Sequence, residues 1–178
     1  QFWIHEGRTM KMIPPVPYKT KSKGERRVFD RLRTAFDRDP DLHLTAFHSL
    51  NLTRHAYKRF GEIDFVIVGK PGVIVLEVKG GGVSRQGGVW SSTNTMGERH
   101  RLNESPFRQA DTAMQGLRNR VGSALPPGIC DQLSWGYGVV FPECDWSVTS
   151  AEWDTAMVAD ARTMPTMERW LSGLYRYW

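Results

Sequence analysis

The stretch GEIDFVIVGKPGVIVLEVKGG occupies residues 61–81. Two apolar runs flank Lys70 and Pro71, which reads as a strand, a turn and a second strand. Apolar residues stand on both faces of both runs, the pattern of strands covered on two sides. Asp64, Glu77 and Lys79 interrupt them. With the turn centred between Lys70 and Pro71, Asp64 falls opposite Glu77, their Cβ atoms roughly 5 Å apart. Lys79 lies two residues beyond Glu77 and so points to the same face. Two adjacent carboxylates in a covered sheet repel each other and are poorly solvated. A divalent cation compensates both faults, since Mg²⁺ and Mn²⁺ take oxygen ligands. Lys79 beside it would place positive charge where an anionic substrate gains negative charge.

Upstream, Val28, Phe29, Leu32 and Phe36 recur at helical spacing from Ser22 to about Asp37. Glu25 precedes Val28 and Phe29 by three and four residues and shares their inward face; its alternative is a first-turn acid favoured by the helix dipole. Residues 44–52 alternate as a strand, and TRHAYKRFG is a basic connector. The Pro-rich, then basic run from Ile13 to Gly24 reads as an extended approach. Residues 1–21 are therefore set apart as a lead-in or tag, and residues 22–178 as one domain. Downstream, the Gly- and Ser-rich run after Lys79 reads as loops with a short strand around Val89 and Trp90. Ser105 and Pro106 open a helix whose apolar face carries Phe107, Ala110, Met114, Leu117 and Val121. Residues 134–141 form a further strand, and an amphipathic helix starts near Pro165. This order predicts an α/β fold, a mixed central sheet flanked by helices.

The chain has 178 residues, 40% of them hydrophobic, enough for one domain with a sizeable core. A net charge of +5 favours an anionic partner such as nucleic acid. Two cysteines exclude a four-cysteine zinc site and fit a reduced, cytoplasmic chain. No run is long and apolar enough to span a membrane, and the start lacks an apolar signal core. The missing initiator Met fits a processed, tagged or excised chain. Lys58, Arg59, Arg85 and Arg101 are candidates to track a phosphate backbone, with a solvated charged face as their alternative. His48 and His55 have no ligand partner spaced to them and read as structural, with a DNA-facing role second. Trp135, Trp146, Trp153 and Trp170 read as core, whereas Trp90 offers a ring for base stacking or for the core. Gly80–Gly82 form either a plain loop or a close approach to a phosphate.

The series Glu25, Asp64 and Glu77-Val78-Lys79 resembles the PD-(D/E)xK nuclease superfamily, and most closely its NERD (nuclease-related domain) family. The resemblance runs from IPPVPYKTKSKGERRVFDRLR through the hairpin and GGVW to SPFRQA, which contains Gln109. It implies a restriction-endonuclease-like core. It implies that Asp64 and Glu77 bind Mg²⁺ or Mn²⁺, with the Val78 carbonyl as a further ligand and Glu25 acting directly or through water. Lys79 would orient the attacking water or stabilise the transition state, and Gln109 would contact the phosphate or an ordered water. The implied activity is metal-dependent endonucleolytic hydrolysis of DNA, with RNA left open, in repair or defence. The alternative is a catalytically weak DNA-binding module that loads or regulates a helicase. MIPPVP followed by GERRVFDRLR looks like the start of a NERD–helicase protein, so a helicase domain or partner is implied, and a homodimer is compatible.

Overall fold

The computed structural model describes residues 10–19, 22–35, 43–51 and 62–178. Lys58, Arg59, His55 and Phe36 lie outside the described residues. The quoted stretch forms the hairpin of β3 (Glu62–Gly69) and β4 (Gly72–Val78), paired antiparallel from Phe65↔Leu76 to Gly69↔Gly72. This is the register of a turn centred between Lys70 and Pro71. Gly72 is required there: its φ is +147°, and a Cβ would come within 2.1 Å of the Ser134 carbonyl oxygen.

β4 is buried along its whole length. On one edge it pairs with β3, and on the other it pairs parallel with β8 (Ser134–Phe141). A parallel neighbour needs a crossover connection, and α2 (Pro106–Gly122) lies within it. The full mixed sheet adds β1 (Lys11–Ile13), β2 (Thr45–Asn51) and β9 (Val158–Asp160), in the order β1-β2-β3-β4-β8-β9. β1 belongs to the stretch read as a lead-in; Met10 and Met12 there are buried in the core.

Helices cover both faces. On one, α1 (Lys23–Thr34) contributes Val28, Phe29 and Leu32, and α3 (Met167–Tyr177) contributes Met167, Leu171 and Leu174. They pack on Phe65, Ile67, Ile74, Leu76 and Val140. On the other, Met114 and Leu117 of α2 pack on Val66, Val73, Val75 and Trp135. Strand alternation breaks near Ser49, a non-glycine residue at φ +59°. Phe47 and Leu50, three residues apart, both pack on the α2 side, and so do Ile63 and Val66. Asp64 therefore sits where β2 and β3 twist out of regular pleating. Among the described residues no helix is long and apolar enough to cross a membrane.

The Gly- and Ser-rich run is a correction to the sequence reading. It is not loop with one short strand but a three-stranded antiparallel sheet of β5 (Gly82–Gln86), β6 (Val89–Thr93) and β7 (Arg99–Arg101). Gly87 and Gly88, at φ +54° and +80°, make the tight two-residue turn between β5 and β6. Positive φ at both positions suits the mirror-image turns that match strand twist. Hydrophobicity failed as a signal because so little of this sheet faces inward. Val83 and Trp90 join a cluster with Phe107, Phe141, Trp146 and Trp153. Trp90 is thus core, its ring centroid 5.3 Å from that of Trp146 and 5.5 Å from that of Trp153.

The first turn of α1 is pressed against the chain leaving β4. A Cβ on Gly24 would lie 2.9 Å from Gly80 Cα and 2.9 Å from Pro142 Cγ. Helix propensity favours Ala over Gly by about 1 kcal/mol, but overpacking against backbone costs roughly 1–3 kcal/mol. Gly24→Ala is expected to destabilise the fold by up to about 2 kcal/mol net of propensity, measured by urea denaturation; a stabilised variant would contradict this packing.

Candidate active site

Three elements bring the charged residues together. Glu77 and Val78 end β4, and Lys79 continues along β8, its N–H donating to the Val140 carbonyl at 3.0 Å. The ammonium of Lys79 lies 2.6 Å from Glu77 Oε1. One position past the last paired rung of the hairpin, Asp64 Oδ2 accepts the Val78 N–H at 2.7 Å. The sequence places Asp64 opposite Glu77, and the structure adds that its carboxylate caps the strand carrying Glu77.

Glu25 enters from the first turn of α1. Its N–H is capped by Ser22 Oγ at 3.1 Å, which fixes where the helix starts. Its side chain is buried, with Oε1 at 2.7 Å from His48 Nε2. The close contact of Gly24 with Gly80 brings this turn down onto the end of β4. Glu143 secures the next residues, its Oε2 accepting the Gly81 N–H at 2.6 Å. Gly80–Gly82 therefore pack against protein: a Cβ on Gly80 would meet Glu143 and Ser22, and one on Gly81 would meet the Thr93 carbonyl.

The electrostatics follow from this crowding. Burial pushes the Asp64 carboxyl up to about 8, and the neighbouring Glu77 and Glu25 add to the rise, against the Val78 N–H and Lys79. Burial also raises Glu77, which Lys79 opposes by charge and hydrogen bond while Glu104 and Glu25 reinforce it. Each rise marks an anion short of positive charge. The oxygens that could hold a hard cation are those of Asp64 and Glu77. Among the described residues no cluster of three or more His, Cys, Asp or Glu forms a ready metal cage. A small cation held through one or two carboxylates, keeping waters and a substrate oxygen, suits such a donor set.

Gln109 lies in the first turns of α2, and its side-chain Oε1 is buried without a hydrogen-bond partner among the described residues. Beside the start of α2 lies a groove of about 980 Å³, lined in part by Arg85, Trp90, Arg101, Glu104 and Arg108. Arg101 is exposed there. Arg85 is engaged: its guanidinium lies 2.6 Å from Glu152 and packs over the rings of Trp90 and Trp153. Lys58 and Arg59 lie outside the described residues.

Sequence reasoning missed the partners that hold the site, namely His48, Gly24 and Glu143. His48 is 23 positions from Glu25, and no spacing rule joins the start of a helix to the strand that follows it. Its position in an alternating strand, in register with Ala46, was the available clue to burial.

A family described as NERD, nuclease-related domain, has a model that matches residues 20–141. No curated protein and no solved structure matches the chain.

The raised Asp64 has a consequence for stability. Folded protein holds this proton more tightly than unfolded chain, so the contribution is complete below about pH 4, the ordinary aspartate value. It is lost as pH rises toward about 8. In chelator, the urea midpoint is expected to fall from pH 5 to pH 8, and to fall less in Asp64→Asn, which should be the more stable protein at pH 8. Identical slopes would remove Asp64 as the source.

Proposed function

The chain belongs to the NERD (nuclease-related domain) family, and from that premise we propose that it is a metal-dependent endonuclease hydrolysing phosphodiester bonds of DNA. The observation that carries this reading is the meeting of Asp64, Glu77 and Lys79 at the end of β4. Asp64 Oδ2 accepts the Val78 N–H, Lys79 Nζ lies 2.6 Å from Glu77, and Glu25 is near enough to act on both carboxylates through its charge. Carboxylates whose proton affinities are raised by burial and by one another favour a site that binds positive charge.

In this reading Asp64, Glu77 and the Val78 carbonyl hold Mg²⁺ or Mn²⁺, and Glu25 completes the shell directly or through water. Such an ion would supply Lewis-acid charge at the phosphate. Lys79 orients the attacking water and offsets the negative charge growing on phosphate. The water oxygen bonds to phosphorus in line with the leaving oxygen as the bond to that oxygen breaks; the water's proton passes to solvent, and the departing oxygen takes a proton from solvent. Gln109, in the first turns of α2, contacts the phosphate or an ordered water in this reading.

The net charge of +5 supports a polyanionic substrate. Arg101, exposed in the groove, is suited to a phosphate contact. Arg85 keeps that role only by giving up Glu152; Lys58 and Arg59 stay candidates from the sequence.

Supercoiled plasmid, linear duplex and single-stranded DNA incubated in Mg²⁺, Mn²⁺ or EDTA test the proposal. Cleavage should require metal and fall about 10²-fold or more in Glu77→Ala and in Lys79→Ala. Cleavage that survives both substitutions would defeat the assignment; metal-independent, salt-sensitive binding without cleavage would favour a DNA-loading module. Separately, Arg101→Ala should weaken DNA binding across sequences and reduce the slope of log affinity against log salt by about one; an unchanged slope would remove Arg101 from the interface.

A further inference from the structure

We propose that His48 is a positioning residue that fixes the Glu25 carboxylate for the site; this rests on the nuclease reading above. The His48 side chain is fully buried in β2, and Glu25 retains 11% exposure. Phe29, Phe65 and Tyr18 surround the imidazole, with ring centroids at 5.2, 4.9 and 6.1 Å. An aromatic or aliphatic side chain would fill such a place without polar cost. A buried imidazole is tolerated when its nitrogens find partners, and both do. The Tyr18 N–H donates to Nδ1 at 3.4 Å. Nδ1 therefore carries the lone pair, the proton sits on Nε2, and Nε2–H donates to Glu25 Oε1 at 2.7 Å.

Hydrogen bonds from a fixed donor to a carboxylate are short and directional. The carboxylate is planar, so holding Oε1 also restricts Oε2. Glu25 acts on both Asp64 and Glu77 through its charge, so its placement bears on both. The arrangement has the form of an outer partner that orients a ligand, whose loss typically costs 10–100-fold in metal affinity or activity. The imidazole also ties α1 to β2. A purely structural tie would change stability while leaving Glu25 and His48 energetically independent in metal binding and cleavage.

The test combines three readouts on the intact chain. Nitrogen-15 spectra of histidine-labelled protein should show the His48 proton on Nε2. Mn²⁺ titration followed by electron paramagnetic resonance, and plasmid cleavage, should then compare His48→Phe, His48→Gln, Glu25→Gln and the double variant His48→Phe with Glu25→Gln. His48→Phe should lose about 10–100-fold in Mn²⁺ affinity or cleavage. His48→Gln, which keeps an N–H, should recover most of that loss. In the Glu25→Gln background His48→Phe should add less than about twofold, the non-additivity of residues acting as one unit. Circular dichroism checks folding; if His48→Phe does not fold, His48→Asn, too short to reach Glu25, takes its place in both backgrounds. A proton on Nδ1, additive losses, or full activity without the N–H would overturn the role of His48 alone. Wild-type protein that neither binds Mn²⁺ nor cleaves would overturn the nuclease reading and this inference with it.

Discussion

Every residue of β4 from Gly72 to Val78 is buried, and a strand with no solvated face obliges the chain to supply a layer on each side. The remaining architecture answers that demand. α1 and α3 close one face through Phe29, Leu32, Leu171 and Leu174, and α2 closes the other through Met114 and Leu117. β3 and β8 occupy its edges. Because β4 is paired on both edges and covered on both faces, Glu77 near its end and Lys79 just beyond it are displayed from a fully buried strand. Rigid elements hold functional groups more accurately than loops do.

The same burial sets the electrostatic cost of the site. Removing Asp64 and Glu77 from water raises their proton affinities, and their proximity raises Asp64 further. Lys79 and the Val78 N–H offset part of this. Asp64 is left with a proton affinity far above that of a solvated aspartate. Such residual conflict is common where function requires an arrangement that stability alone would not select. The site is braced by groups that do not belong to the charged cluster. Ser22 starts the helix that carries Glu25, Gly24 lets it approach, and Glu143 holds Gly81 in place.

The second sheet and the indole cluster form a separate packing unit beside α2. Phe107 stacks on Trp153 at 4.5 Å, and Trp90 stacks on Trp146 at 5.3 Å. Arg85 lies over this cluster and is tethered by Glu152. Aromatic packing thus anchors a polar, glycine-punctuated sheet that has little apolar surface of its own. It also forms one wall of the groove that carries Arg101, adjoining the side from which Glu104 influences Glu77.

Local pattern sufficed for much of this molecule. The hairpin register was legible because a turn at Lys70 and Pro71 leaves one pairing that keeps both apolar runs buried. α2 and β8 announced themselves through Ser105, Pro106 and an uninterrupted apolar run. The motif of Asp64, Glu77 and Lys79 was visible because charge is conspicuous in strands with no solvated face. Of the short polar strands only β6 left a trace, at Val89 and Trp90; β5 and β7 depend on Gly87, Gly88 and contacts of Val83 and Trp90 with distant tryptophans. The partnership of Glu25 with His48 was equally hidden, since it joins two elements through a contact that no periodicity encodes. The sequence by itself determined the hairpin, its charges and the alternation of helices with strands, because each depends on neighbours along the chain. Only the tertiary structure decided which histidine holds Glu25, which glycine admits the helix and which arginine is already engaged, because those outcomes depend on close contacts between residues far apart in the chain.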